Sequence, residues 1–489
     1  MKLSYKWLVA IVLILGAFMS FLDQTIVNIA IPRLQSVFAA DLHSVQWVVS
    51  AYILTQGALA PTMPFLVQML GSKRTFILAL AAFTLGSALC GLAWSLPILI
   101  LFRVFQALGA AILWPLIMTI LFREFPLEER GVAMAAIGVP MLLGPALGPI
   151  VGGYLVTFAT WQIIFFINVP IGILAIILAL VLLHETHVPT TIRFDLPGFV
   201  CSAAGLTAVL YASSEASTAG WSSPIVLIPL SGGLLLLLAF IIIELAIARR
   251  GGTPLLDLRL LANRSYTAGS IAGICIFPCL FGIAFLVPIY LQALRGLSAF
   301  QTSMVLIPQV LAAMLGMTLG GKLVDRLGDA RPIVAPGLVL TVASLWLLAT
   351  STLTTPYWLY ALILMLLAFG LNLVMQPIGV AAMADLRETS SIANGSTLST
   401  VIRSIGGSLG LALLSTLVQT QTQAHLQDQK QADLSAALLY KQASLMAMHD
   451  AFFLLAISSI LALLAAMFLH KRRPSSSKKD DAVPAHHAQ

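Results

Sequence analysis

Charge is what this chain of 489 residues has least of. Asp, Glu, Lys and Arg together make up 9% of it, against about 25% in a soluble domain. With 59% hydrophobic residues, that scarcity excludes a soluble globular fold. Cysteine is scarce as well. Cys90, Cys201, Cys275 and Cys279 all fall in apolar runs, which excludes a disulfide framework and leaves them as small apolar residues. Long polar stretches are missing, so no soluble domain interrupts the chain. A nucleophile–base pair or an acid–metal cluster is missing too, and the chain is not read as an enzyme. Gly316-Met317-Thr318-Leu319-Gly320-Gly321-Lys322 nearly spells a phosphate loop. Leu323 follows where Ser or Thr should hold magnesium, and no soluble strand precedes it, so ATP-driven transport is excluded and no cofactor is expected.

What the chain has in abundance is apolar runs of the length that crosses a bilayer, roughly 20 residues each. A scan finds them near 8–31, 45–69, 76–95, 97–121, 131–156, 162–183, 196–214, 224–247, 266–291, 303–321, 333–351, 357–379, 396–418 and 450–470. These predict an all-α membrane protein with fourteen transmembrane helices in the lipid bilayer. With the N-terminus inside, only Arg33, Arg295, Lys430 and Lys441 fall outside, and Arg103 and Arg403 fall within spans. Every other one of the 26 Lys and Arg residues falls on the cytoplasmic side, as the positive-inside rule requires. Both termini are therefore expected in the cytoplasm, with the chain in the cell (inner or plasma) membrane. The same asymmetry accounts for the net charge of +7, so no nucleic-acid partner is inferred. The first run is too long for a cleaved leader and contains Asp23 and Asn28. Segment 419–449 is rich in Gln and Ala and is expected to form an external amphipathic helix on the membrane surface. The tail 471–489 is polar and expected to be disordered on the cytoplasmic side.

The most informative stretch is GVPMLLGPALGPIVGGYL at 138–155. Gly144, Gly148 and Gly152 recur every four residues and so share one helix face. Pro145 and Pro149 stand beside them. Small residues on one face let another helix approach closely, and mid-span prolines bend a helix. The pattern resembles the antiporter motif on the fifth helix of proton-driven exporters in the major facilitator superfamily. FLDQTIVNIAIPRL, around Asp23, similarly resembles the L-D-x-T-I-V-N-x-A-L-P signature of the fourteen-helix drug:proton antiporters. Further matches are WQIIFFINVPIG at 161–172 and NGSTLSTVIRSIGGSLGLAL at 394–413, both expected to be structural.

The resemblance implies two six-helix bundles, 1–190 and 256–470, with two additional helices between them in 191–255. Weak repetition between PFLVQMLGSKRTF and GGKLVDRLGDARP supports two halves, and such repeats place a substrate site between the halves near the midplane. It also implies a proton-coupled antiporter that exports apolar or cationic organic compounds. A narrow exporter of a metabolite, lipid or antibiotic would share the mechanism. Partners would be protons and a small organic substrate, with a periplasmic adaptor protein admitted as a further partner.

Site candidates follow from the cost of polar groups in hydrocarbon. Asp23 is the candidate proton carrier. Arg103, in LFRVFQALGAA with Gln106 and Gly109, matches the R-x-x-Q-G-x-G-like motif with Ala107 at the first Gly. In the family that arginine influences proton release from a nearby carboxylate, and Asp23 is the obvious partner. Gln56, Gln106, Gln309, Asn372 and Gln376 are candidates to line the cavity, with Phe281, from the stripe Phe277, Phe281 and Phe285, as an aromatic wall. Asp325 and Arg326, in GKLVDRLG, match the superfamily's cytoplasmic-loop motif and are expected to gate. The first-half copy is degenerate, with Gln68 and Met69 at the Asp and Arg positions and Lys73 and Arg74 retained. No metal site is expected.

Overall fold

The structure is a computed structural model and describes residues 4–125, 143–144, 147–185, 195–250, 252, 254–383, 389–428 and 435–469. Within that set the side chains of Gln68, Asp325 and Gln376 are among those left undescribed.

Helix α1 spans Tyr5–Phe38 and stops at Ala39, whose left-handed φ of 47° turns its N–H back onto the Gln35 carbonyl. Asp41 caps α2, Leu42–Leu59, by accepting from the Ser44 N–H. Pro61 then interrupts the α ladder, because proline has no N–H to give. A 3₁₀ turn at Ala60–Thr62 leads into α3, Met63–Leu70. Next come α4, Ser72–Gly91, and α5, Leu96–Glu124. After them stand α6, Leu147–Phe158, a single turn α7, Ile163–Phe166, and α8, Asn168–Leu182. The middle pair is α9, Leu196–Ala219, and α10, Pro224–Arg249. The second half comprises α11, Arg264–Ile289; α12, Ala299–Leu327; α13, Arg331–Ala349; α14, Tyr357–Met383; α15, Thr389–Asp428; and α16, Ala436–Ala466.

Twelve helical stretches among the described residues are long and apolar enough to cross a membrane. The other two expected spans are α2 with α3, broken at Pro61, and the run near 131–156, described at 143–144 and from 147 on. The fourteen-span architecture accommodates both. Its surface is inverted relative to a soluble protein. Val181, Ile228 and Trp358 are about 70% exposed, whereas Asp23, Gln46, Gln106 and Asn168 are fully buried. Lipid accepts the first group and cannot hydrogen-bond the second.

Segment 419–449 does not form a separate surface helix. Its first part continues α15 to Asp428, and its last part begins α16 at Ala436. His425 meets Asp450 at 3.0 Å across the two helices. Backbone hydrogen bonds within a helix do not depend on the bilayer, so a span can run past its apolar stretch when a neighbouring helix accompanies it.

Within the first half α4 packs on α5 and α8, α2 packs on α5, and α1 meets α5 and α8. Within the second half α14 packs on α12 and α13, and α11, α15 and α16 form a mutual trio. The additional pair α9 and α10 joins at Gly205 and Gly233, where a Cβ on either would lie about 3 Å from the other's carbonyl, and α9 lies along α2 and α15. The halves meet where α2 packs on α15 and α1 on α11.

Candidate proton site and substrate cavity

Asp23 lies on α1, wholly buried. Its Oδ2 accepts from Arg103 Nη1 of α5 at 2.6 Å. Its Oδ1 accepts from Gln106 Nε2 at 2.9 Å and from Asn168 Nδ2, at the start of α8, at 3.0 Å. Arg103 is 1% exposed and is itself well supplied with partners. Its Nη1 also donates to Gln106 Oε1 at 2.7 Å, and its Nε donates to the Val48 carbonyl of α2 at 3.1 Å. The guanidinium lies 4.0 Å from the Tyr52 ring centre. Asn168 donates further to Ser87 Oγ, which donates to the Phe165 carbonyl, and the Cys90 thiol reaches Gln106 Oε1 at 3.7 Å. One carboxylate thus ties together α1, α2, α4, α5 and α8. A buried ion pair survives only when hydrogen bonds satisfy the remaining lone pairs and protons, and this network supplies them.

The glycine face of α6 seats the helix that carries Asp23. A Cβ at Gly144 would lie 2.6 Å from Phe21 Cβ, one at Gly148 would fall on the Thr25 hydroxyl, and one at Gly152 would meet Ile26 Cγ1 at 2.7 Å. Thr25 Oγ1 donates to the Gly144 carbonyl at 3.3 Å. The neighbouring face of α6 meets the other half. The Pro149 carbonyl accepts from Ser303 Oγ of α12, and Thr157 Oγ1 accepts from the Phe300 N–H at 3.0 Å. Gln292 Nε2 completes this junction by donating to the Ile29 carbonyl at 3.1 Å. Pro145 lies outside the described residues.

A narrow cleft, with room for little more than a water molecule, lies between the halves. Ala17, Ser20, Phe21 and Gln24 of α1, Gln56 of α2, Leu113, Trp114 and Ile117 of α5, and Arg403 of α15 line it. Phe21 and Trp114 meet edge to face at 5.2 Å.

The lining candidates divide under this geometry. Gln56 is on the cavity, and its amide reaches the Ala110 carbonyl at 3.5 Å. Gln106 belongs to the Asp23 network instead. Phe281 is not on this wall: its ring packs over Gly407, in a glycine face of α15 that also takes Phe277 at Gly406 and Pro278 at Gly410. Asn372 is likewise off it, donating to the Ala368 carbonyl of its own helix at 2.9 Å. Gln309, on α12, is off it as well, and its buried Oε1 has no partner among the described residues. The side chain of Gln376 lies outside the described set, as does that of Asp325; Arg326 is exposed near the end of α12. Asn372 and Phe281 avoid lipid equally well, the first by bonding its own backbone and the second by filling a glycine notch.

The degenerate first-half loop holds an acid from elsewhere. Glu185, just beyond α8, accepts from the Lys73 and Arg74 N–H groups at 3.3 and 3.2 Å, at the N-terminus of α4. A carboxylate at that end suits the helix dipole.

The family model for the Major Facilitator Superfamily matches residues 13–411. The chain belongs to the Major Facilitator Superfamily. It is 36% identical over 417 residues to a multidrug resistance protein B homolog of Mycobacterium tuberculosis, covering 84% of this chain and 76% of that one. It is 33% identical over 417 residues to the riboflavin transporter RibZ of Clostridioides difficile, covering 84% and 88%. Among solved structures it is similar to a bacterial homolog of the human lysosomal transporter Spinster, in an inward-facing and unoccupied conformation. That match has a TM-score of 0.68 at 15% identity and covers 98% of this chain and all of that one; it speaks to the fold alone. The chain is therefore a multi-pass membrane protein of a transporter superfamily.

Sequence reasoning passed over Asn168, Ser87, Tyr52, Gln24 and Trp114. Asn168 stood in the stretch WQIIFFINVPIG and was expected to be structural. The rule that singled out Gln56, an amide inside an apolar run, would have singled it out too.

Proposed function

We propose that this protein is a proton-coupled antiporter that exports organic compounds by alternating access, with Asp23 as the proton-carrying group. The observation that carries the reading is the buried Asp23–Arg103 pair, whose direct partners lie on α1, α2, α5 and α8. Three donors converge on the two carboxylate oxygens. Protonation would cancel the charge that holds Arg103 Nη1 and release α5 from α1. The glycine face of α6 is seated against the same stretch of α1, and its other side joins α12. A change in how α1 sits would thus reach the junction between the halves. Arg326, with Asp325, is the proposed gate at the opposite, cytoplasmic end.

The cavity supports amphiphilic, aromatic substrates through Phe21 and Trp114. It gives no support to a preference for cations, since no carboxylate lines it among the described residues. Multidrug export is supported by the relative named for multidrug resistance. A narrower exporter of a planar metabolite is the second reading, favoured by the relative named for riboflavin.

The test uses purified protein in liposomes. An imposed pH gradient should drive substrate against its own gradient, a protonophore should stop it, and ATP should have no effect. Transport that ignores protons and follows a sodium gradient would contradict the proton assignment.

A further inference from the structure

Among the described residues Arg403 is the one cationic side chain on the cavity wall, and it faces the space between the halves from α15. It makes no ion pair, hydrogen bond or ring contact with the described residues. The buried acid of α1, Asp23, is already engaged by Arg103, Gln106 and Asn168. Tyr52 lies under the Arg103 guanidinium, 4.0 Å from ring centre to Cζ. The centre of the protein therefore holds two guanidiniums and one carboxylate. A guanidinium does not shed its proton to escape burial, and a desolvated charge without a partner is costly.

We propose that Arg403 is the binding site for an anionic group of the transported compound, and that the cavity takes amphiphilic aromatic acids. The planar guanidinium fits a carboxylate with two parallel hydrogen bonds. Gln24 and Gln56, on the same wall, supply amides for the acid's remaining polar atoms, and Phe21 with Trp114 supplies an aromatic shelf for its ring. A bound carboxylate would neutralise the surplus positive charge. An organic cation of the same shape would add to it and be rejected. Rejection by an uncompensated buried charge is the stronger source of selectivity. This deepens the exporter reading and rests on it for the word substrate, but binding itself needs no proton coupling.

Equilibrium binding therefore tests it separately. Naphthoate, naphthamide and naphthylmethylammonium share one aromatic body and differ in charge. Each is titrated by calorimetry into the full chain in phosphatidylcholine nanodiscs. Naphthoate should bind the wild type about tenfold or more tighter than naphthamide, the scale of a charge-assisted hydrogen bond, and the ammonium should bind weakest. Arg403→Gln should erase the preference, and a thermal-unfolding midpoint close to that of the wild type shows that the variant is folded. Arg403→Lys should keep part of it. Equal affinities for naphthoate and naphthamide in the wild type, tightest binding of the ammonium, no saturable naphthoate binding, or an undiminished preference in Arg403→Gln would each overturn the proposal. Loss of gradient-driven transport with the preference intact would contradict the exporter reading and leave this one standing.

Discussion

Arg103 and Arg403 are the same side chain placed at membrane depth by helices of opposite halves, and their surroundings differ in kind. Arg103 is sealed by a carboxylate, an amide, a backbone carbonyl and a tyrosine ring. Arg403 borders open space and touches none of these. The first arrangement is complete without a ligand, so its chemistry must be a change in its own protonation. The second is incomplete, so its chemistry must be capture of something from outside the chain. On the proposed reading, one half holds the proton site and the other contributes the charge that meets the cargo.

This contrast can be broken by thermal unfolding of purified variants. Arg103→Gln should cost the most, about 3–5 kcal/mol, because it strands the Asp23 carboxylate in the interior. Arg403→Gln should stay within about 0.5 kcal/mol of the wild type, or raise stability, because no protein group depends on it. Similar losses for the two would mean that Arg403 has a structural partner and would remove the contrast.

Gly148 gives the next largest effect. Leucine there must push α6 off Thr25 and α1, at about 1–3 kcal/mol, the usual cost of overpacking. Alanine meets mainly the Thr25 hydroxyl, which can rotate, so a smaller loss is expected. Transport should fall in the order glycine, alanine, leucine, and equal activity in all three would show that this face is not a working contact. The smallest effect belongs to Glu185→Gln. Removing the charge from the N-terminus of α4 should cost about 0.3–1 kcal/mol, and less in high salt, because Glu185 is exposed. Faster amide exchange at Lys73 and Arg74 would report it; unchanged exchange would argue against the cap.

The proton site was largely legible in the chain, because an acid or an arginine inside an apolar run admits few readings. Asp23 and Arg103 could be named from that alone, and the glycine face from its spacing, whereas Gln106 was expected on the cavity wall and belongs to the Asp23 network instead. The cavity was much less legible. Gln309, Asn372 and Phe281 are spaced like lining residues, yet a helix's rotation about its own axis is set by its neighbours. Local sequence does not carry that information. Asn168 and Arg403 were both visible as polar groups in spans, but nothing in the letters says that one completes the Asp23 network while the other is left over. The run past the bilayer edge at 419–449 was missed because the scan for spans ends where apolar residues end, whereas α15 and α16 continue in each other's company.

The account turns on Asp23, and Asp23→Asn addresses it with least disturbance, since the amide keeps the shape and can still accept a hydrogen bond. The measurement is substrate accumulation in proteoliposomes under an imposed pH gradient, with wild type and Asp23→Asn at matched protein content and matched thermal stability. The wild type should concentrate substrate against its gradient. Asp23→Asn, fixed in a neutral state, should show no gradient-driven accumulation while still binding substrate. Undiminished gradient-driven accumulation by folded Asp23→Asn would contradict the account.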